Sequence, residues 1–495
     1  MHTIWLPDLS GDEGPKYLAL TRALRDAIRS GALPQGTQLP TVRDLAYRIS
    51  VTPGTVSRAY QIATQEGLLE ATVGRGTFVA AQRPRLGPTQ SLFTDRDPGV
   101  DAGRVDLRSP QLPDVGQSEI FASILRKMSM NVGAEWLDYT HQSGEEPLRA
   151  AVVDWLAGRV LGPVSADDIM LTHGGQSGIG LILDCCLRGD RPVVLIEDLA
   201  YPGFRYSARA ARAEVVAIEL DDEGMRPDAL EAACRRYGAQ VLCLTPSAQN
   251  PTTARMSPER MAQIVSIARR YDLQIIEDEC YFYTGSPLPA LRAVAPERVW
   301  YAGSLSKSVS AGLRFGYVVC PSGMGPTGRL AAQHSFFALS RPLAELALEL
   351  FGSGEANEIR GKVEAEFSDR MQMFVNRLGA FDLAWQPGIP FAWLRLPQGW
   401  RAYTFTRMAE EQGVLLRAAD QYAISTGRAP NAVRLAVAGN IPRQQLDAGL
   451  AALAYWLQEL GGKTIVDHAI DKVVAGLIEE HVVVLNIQNA QIRWL

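Results

Sequence analysis

The sequence predicts an α/β chain in two parts: a small N-terminal winged helix-turn-helix and a large, doubly wound domain on a mainly parallel sheet. Three observations predict it. Two short helical stretches joined by a tight turn, then a hairpin pattern, occupy residues 41–80. From about residue 116 to 460, short continuously apolar runs alternate with amphipathic stretches, as buried parallel strands and their crossover helices do. Charge is also unevenly divided. Residues 16–80 carry eight Lys/Arg against four Asp/Glu in a chain whose net charge is −5, a basic head on an acidic body.

The 495 residues, 47% hydrophobic and 21% charged, suffice for two or three domains with full cores and exclude a disordered chain. No apolar run reaches the ~18 residues of a membrane-spanning helix. The start, MHTIWLPDLSGDEGPKY, lacks the basic region and apolar stretch of a signal peptide. Cysteines 185, 186, 234, 243, 280 and 320 form no CxxC pair and no zinc-like spacing, which predicts reduced core thiols, no metal site and a cytoplasmic protein without membrane contact.

In chain order, residues 12–80 form the head. YLALTRALRDAIRSG places apolar residues 17, 18, 20, 24 and 28 close to one helical face and stops at Gly31. Thr41 caps TVRDLAYRIS, with Asp44 three residues on. Thr52-Pro53 opens the next helix, a cap followed by proline at the first helical position. That helix presents Thr55, Ser57 and Arg58 near its N-terminal end, where a recognition helix enters the major groove. Arg43 sits where the preceding helix crosses phosphates, and Arg75, between glycines at the hairpin tip, is placed for a minor groove or backbone. Residues 81–115, rich in Pro, Gly and Asp, read as a linker ending in an extended segment. Residues 461–495 read as an extension of unassigned role, a helix followed by an apolar strand.

In the body, DIMLTHGG, RPVVLIED, AEVVAIEL, AQVLCLTP, LQIIEDE and RVWYAGS are the expected strands. Ligands of such folds sit at the carboxyl ends of strands. There the sequence places Gly175-Gln176, Asn250, Asp278 with Tyr281, and Ser304-Leu305-Ser306-Lys307 with Arg314. Asn250 to Asp278 and Asp278 to Lys307 are 28 and 29 residues, near the ~30 of one strand-helix-strand unit, so these groups gather along one edge. The chain holds only six lysines (16, 127, 307, 362, 463 and 472) among forty-nine basic residues. Lysine, unlike arginine, can lose its proton and form a Schiff base. Lys307 as Schiff-base amine, Asp278 at a pyridinium nitrogen, Asn250 and Tyr281 at a ring hydroxyl, and a phosphate held by serines, arginine and a glycine-rich helix start suit pyridoxal 5'-phosphate.

Two resemblances follow from these residues. "SGALPQGTQLPTVRDLAYRISVTPGTVSRAYQIATQEGLLEATVGRGTFV" resembles the DNA-binding domain of GntR-type bacterial regulators, except that Pro53 stands where that family commonly has arginine; base readout then rests more on Thr52, Thr55 and Arg58. "GSLSKSVSAGLRFGY", "IIEDECYFY", "PSAQNPT" and "LTHGGQSG" resemble fold-type I aminotransferases over some 340 residues. That resemblance implies a smaller C-terminal α+β subdomain and the roles just given, with Ser304, Ser306, Arg314, Gly175 and Gln176 around the phosphate. It adds Tyr201 of "EDLAYPGF" stacked on the ring, Tyr139 at the phosphate of a partner subunit, and Arg434 of "NAVRLAVAG" at a substrate or effector carboxylate.

Head and body together resemble the MocR/GabR group of regulators. The group implies a homodimer that binds an operator in double-stranded DNA, holds pyridoxal phosphate, and senses the cofactor or an amino compound. Two departures, Ala248-Gln249-Asn250-Pro251-Thr252-Thr253 and a tyrosine three rather than two residues after the acid, lean toward true aminotransferases. The alternative is thus an active aminotransferase with an appended DNA-binding head.

Overall fold

The computed structural model describes residues 5–7, 9, 15–65, 68–72, 76–80, 103–281, 288–424, 429–459, 483–486 and 491–494. The chain divides into two units, Met1–Thr89 and Gln90–Leu495.

In the first unit, α1 (Lys16–Arg29), α2 (Val42–Arg48) and α3 (Pro53–Gln65) precede an antiparallel hairpin of β1 (Leu69–Thr72) and β2 (Gly76–Val79). The Thr41 hydroxyl accepts from the Asp44 N–H at 3.2 Å, satisfying one of the amides a helix start leaves open. Thr52 does the same for Thr55 at 3.3 Å. The breaker-rich stretch before α2 lies along β2, with Thr77 accepting from the Leu39 N–H at 2.8 Å and Val79 pairing with Gly36 and Thr37. Leu20, Leu24, Leu45, Val56, Ala59 and Leu69 fill the core. Leu18, expected on the same face of α1, is 41% exposed, because it stands roughly 200° round the helix from Leu20.

The second unit is built on a seven-stranded sheet. All six expected runs are strands: β3 (Ile169–Thr172), β4 (Val193–Glu197), β5 (Glu214–Ile218), β6 (Ala239–Leu244), β7 (Gln274–Asp278) and β8 (Val299–Ser304). A seventh, β9 (Gly316–Val319), is not separated by the sequence pattern from the loop before it. The order is β3-β9-β8-β7-β6-β4-β5, with β9 antiparallel to both neighbours and the remaining pairs parallel. Alternate side chains go to opposite layers: Val194 and Ile196 pack with Ile179 and Phe204, Val193 and Leu195 with Leu242 and Ile264.

The reversed β9 has a consequence for the sheet's carboxyl edge. Gly316 pairs with both Ser304, the last residue of β8, and Thr172, the last of β3. The residues just before Gly316 therefore join the loops after β3, β6, β7 and β8 on one edge.

The expected smaller α+β subdomain is a four-stranded antiparallel sheet of β10 (Leu383–Ala384), β11 (Phe391–Arg395), β12 (Arg417–Ala418) and β13 (Ala432–Ala436), in the order β10-β11-β13-β12. Helices Glu355–Leu378 and Arg443–Glu459 share a core with it through Phe367, Phe374, Leu394, Val433 and Leu450. Residues 103–115, the end of the expected linker, run along this subdomain, with Val105–Asp106 paired to Val414–Leu415. In the C-terminal extension, Val483–Asn486 and Gln491–Trp494 form an antiparallel hairpin; the helix expected before it lies outside the described residues. No described helix is long and apolar enough to cross a membrane.

Candidate ligand cavity and DNA-binding head

A cavity of about 290 Å³ lies at the carboxyl edge of the sheet. It brings together Lys307, Asp278, Tyr281, Asn250, Tyr201, Gly175, Gln176, Ser304, Ser306, Arg314 and Arg434, that is, every body residue the sequence nominated apart from Tyr139. Tyr139 is 76% exposed and stacks on Phe337 with ring centroids 5.3 Å apart. Ser109, Cys280, Arg417 and Tyr422 also line the cavity and were not nominated.

Lys307 follows β8 by three residues and is held inside this space. Burial lowers its ammonium pKa to about 8 by withholding the water that would solvate the charge. The Arg434, Arg314 and Arg417 guanidiniums push the same way and the Cys280 thiol opposes. Asp278 ends β7. Burial raises its carboxyl above the usual carboxylate range, opposed by the Cys280 thiol and by the Cys280 N–H, which donates to Oδ1 at 3.0 Å. Asp278 is the one acid among the described lining residues, and no described cation forms an ion pair with it.

At one end, hydrogen-bonding capacity is left open. The Ser306 Oγ is buried without a partner. Among the described residues the Arg314 guanidinium makes one hydrogen bond, a long one from Nη2 to the His173 carbonyl at 3.4 Å. Arg314 adopts φ +53°, the left-handed region that a non-glycine residue rarely occupies. Gly174 has φ +83°, and a Cβ there would stand 2.8 Å from Arg314 Nη2. Gly175 begins the helix Gly175–Cys186, and a Cβ on it would stand 2.5 Å from the Cys280 sulfur. Orphaned hydroxyl, under-used guanidinium, helix start and absent side chains make a cradle that fits a phosphate. Gln176, nominated for the same cradle, gives its amide instead to Ser207 Oγ at 2.7 Å and the Gly203 carbonyl at 3.3 Å, so only its Oε1 is without a partner.

Midway, the Tyr201 and Tyr281 rings and Asn250 face the cavity. Burial pushes the Tyr201 phenol up and the Tyr281 phenol to about 12, so both remain protonated donors. Tyr281 is fixed edge-on against Phe391 at 5.1 Å. Asn250 is held by its N–H to Thr245 Oγ1 at 3.2 Å. Thr245 also donates to Glu197 at the end of β4, through its N–H at 3.2 Å and hydroxyl at 3.1 Å. Gln249 adds a third bond to that carboxyl at 3.2 Å. Burial pushes Glu197 up to about 7 despite these bonds. The sequence showed Glu197 only as the last residue of an apolar run.

At the other end, Arg434 projects from the middle of β13. Its Nη1 donates to Asn250 Oδ1 at 2.7 Å and Nη2 to the Arg108 carbonyl at 2.9 Å, while Nε is buried without a partner.

In the head, Arg43, Thr52, Ser57 and Arg58 are exposed and Thr55 is half-buried. The two threonine hydroxyls meet at 3.0 Å and the Thr52 oxygen serves the helix cap. Arg58 lies over the Tyr17 ring, 4.3 Å from its centroid. Arg75 lies outside the described residues.

Comparison with known proteins finds the same two parts. Residues 104–453 match the family "Aminotransferase class I and II", and residues 16–79 match "Bacterial regulatory proteins, gntR family". The HTH-type transcriptional regulator YdeF of Bacillus subtilis is 32% identical over 463 residues, spanning 92% of this chain and 97% of its own. The HTH-type pyridoxine biosynthesis transcriptional regulator PdxR of Corynebacterium glutamicum is 28% identical, over 63% of this chain and 69% of its own. Among solved structures, the α-aminoadipate aminotransferase LysN of Thermus thermophilus, complexed with N-(5'-phosphopyridoxyl)-L-leucine, superposes with a TM-score of 0.62 at 25% identity. The match covers 72% of this chain and 93% of that one.

The depressed Lys307 pKa gives a prediction. Neutral amine, the nucleophilic form, should be half-populated near pH 8 rather than near the about 10.4 of a free lysine. Acylation of Lys307, followed by peptide mass spectrometry, should titrate with that midpoint. In Arg434→Gln the midpoint should rise, since a like charge is removed. A wild-type midpoint above pH 10 would contradict the electrostatics described.

Proposed function

The chain belongs to the GntR-type helix-turn-helix transcriptional regulators that carry a class I and II aminotransferase domain, and on that premise we propose that its body binds pyridoxal phosphate and an amino compound whose presence alters the DNA affinity of its head. The observation that carries the proposal is one edge of one sheet. A lysine whose amine loses its proton easily and a buried carboxyl with no cationic partner among the described residues face the same cavity, beside a cradle suited to phosphate. When bound, pyridoxal phosphate supplies an aldehyde that amines attack and an electron-withdrawing ring.

The chain's own residues divide that work. Lys307 offers the amine. Asp278 takes the protonated ring nitrogen, the cation that its buried carboxyl lacks. Asn250 and Tyr281 hold the ring hydroxyl, and Tyr201 covers a ring face. Gly175 and Gln176, through the backbone amides of the helix start, hold the phosphate with Ser304, Ser306 and Arg314. Arg434, with an open Nε, takes the carboxylate of the amino compound. Tyr139, exposed and off its own cavity, would serve the phosphate of a second copy in a homodimer. Glu197, through Thr245, positions Asn250.

In the head, Arg43 contacts phosphate, while Ser57 and Arg58 carry base readout with the Thr52 and Thr55 methyl and hydroxyl groups; Arg75 joins from the hairpin tip. Arg58 must leave the Tyr17 ring to reach a base. A ligand shifts DNA affinity only through unequal affinity for two arrangements of the protein. Full-length similarity to YdeF favours regulation over a metabolic aminotransferase with an added head. Similarity to PdxR, a regulator of pyridoxine biosynthesis by name, supports a second reading in which pyridoxal phosphate is itself the signal.

Two measurements test these assignments. Added pyridoxal phosphate should give the wild-type protein a visible absorption band that Lys307→Ala lacks. An equal band in both would remove Lys307 from the site. Arg43→Ala should weaken binding to all DNA sequences alike and reduce the salt slope by about one unit, whereas an unchanged slope would take Arg43 out of the interface.

A further inference from the structure

We propose that the amino compound read by this cavity carries two acid groups, the second held by Arg417. The inference rests on the ligand-binding reading above and deepens it. In the antiparallel pair of β12 and β13, Arg417 stands directly opposite Arg434, so both side chains leave the same face. Both line the cavity that holds Lys307.

Like charges opposite one another on a sheet repel, and removal from water strengthens the repulsion. A structural arginine pair normally meets an intervening carboxylate. Among the described residues neither guanidinium forms an ion pair with an acid, and Arg434 is satisfied only by an amide oxygen and a carbonyl. Each Nε is buried without a hydrogen-bond partner, and so is the Tyr422 hydroxyl, whose ring lies 5.0 Å from the Arg434 guanidinium. Open buried donors of this kind mark the place of an absent acceptor.

Charge matching specifies that acceptor. Asp278 is the one lining acid among the described residues, and it is committed to the ring nitrogen; the Arg314 cradle is committed to the phosphate. What remains uncompensated is the Arg417–Arg434 pair. One bidentate guanidinium suffices for the carboxylate of a simple amino acid. Two, side by side, suit an amino dicarboxylate, whose amine is directed to the Lys307 end and whose two acids reach the arginines.

The test compares L-glutamate with L-glutamine, near-isosteric molecules that differ in the second acid, by titrating the visible band of the pyridoxal-phosphate-loaded protein. L-Aspartate and L-2-aminoadipate vary the spacing. Glutamate should bind at least about tenfold more tightly than glutamine, as a charge-assisted pair predicts. Arg417→Gln should erase that ratio by weakening glutamate binding far more than glutamine binding, and Arg417→Lys should restore part of it. Equal affinity of glutamate and glutamine in the wild type overturns the proposal and leaves the amine-binding reading standing. So does an Arg417→Gln variant that loses both ligands equally, which would put Arg417 on the α-carboxylate. If no amine shifts the band, both readings fail together.

Discussion

A lysine amine that shares one cavity with three guanidiniums and a single carboxyl among the described lining residues is the constraint on which the structure of this site depends. Taking a cation such as Arg434 out of bulk water is costly unless acids or ligand groups neutralise it. Among the described residues the protein provides one lining acid, Asp278, and leaves Ser306 Oγ and two arginine Nε atoms without partners. The cavity is therefore electrostatically incomplete among the described residues, which suits it to an anionic ligand. Burial first and then the same guanidiniums hold the Lys307 proton loosely, so the positive field of the cavity also contributes to the readiness of the amine.

The sheet makes this concentration of charge achievable. Parallel strands bring the ends of β3, β4, β6, β7 and β8 to one edge, where loop residues escape the apolar layers. One reversed strand supplies what a wholly parallel sheet would not. Running against its neighbours, β9 begins at that edge and carries Arg314 there. The subdomain sheet closes the far side with Arg417 and Arg434, and Arg434 is tied to the large sheet through Asn250.

Much of this was legible in the sequence because it depends on short-range rules. Strand runs gave themselves away by continuous apolarity, and spacings of 28 and 29 residues put Asn250, Asp278 and Lys307 on one edge. The Thr41 and Thr52 caps were visible as local patterns, and each hydroxyl makes the bond its position predicts. What escaped depends on pairing between distant segments. Arg417 occupies a two-residue strand with no periodicity, and its face is set only by Arg434 opposite. Ser109 lies in a stretch whose composition reads as linker, yet that stretch runs beside the subdomain sheet and brings Ser109 to the cavity. The Arg58–Tyr17 stacking joins residues from two helices of the head, and the bond from the Gln176 amide to Ser207 joins two helices that the sequence separates by a strand.

The central claim is that occupancy at Lys307 and DNA affinity are coupled. The direct measurement is the dissociation constant for a DNA fragment selected from genomic DNA by the protein itself, determined with and without pyridoxal phosphate and L-glutamate, for the wild type and Lys307→Ala. The account predicts a change of at least about fivefold in the wild type, the lower end of ordinary allosteric coupling, and none in Lys307→Ala. A wild-type affinity that is the same with every combination of these ligands would contradict it.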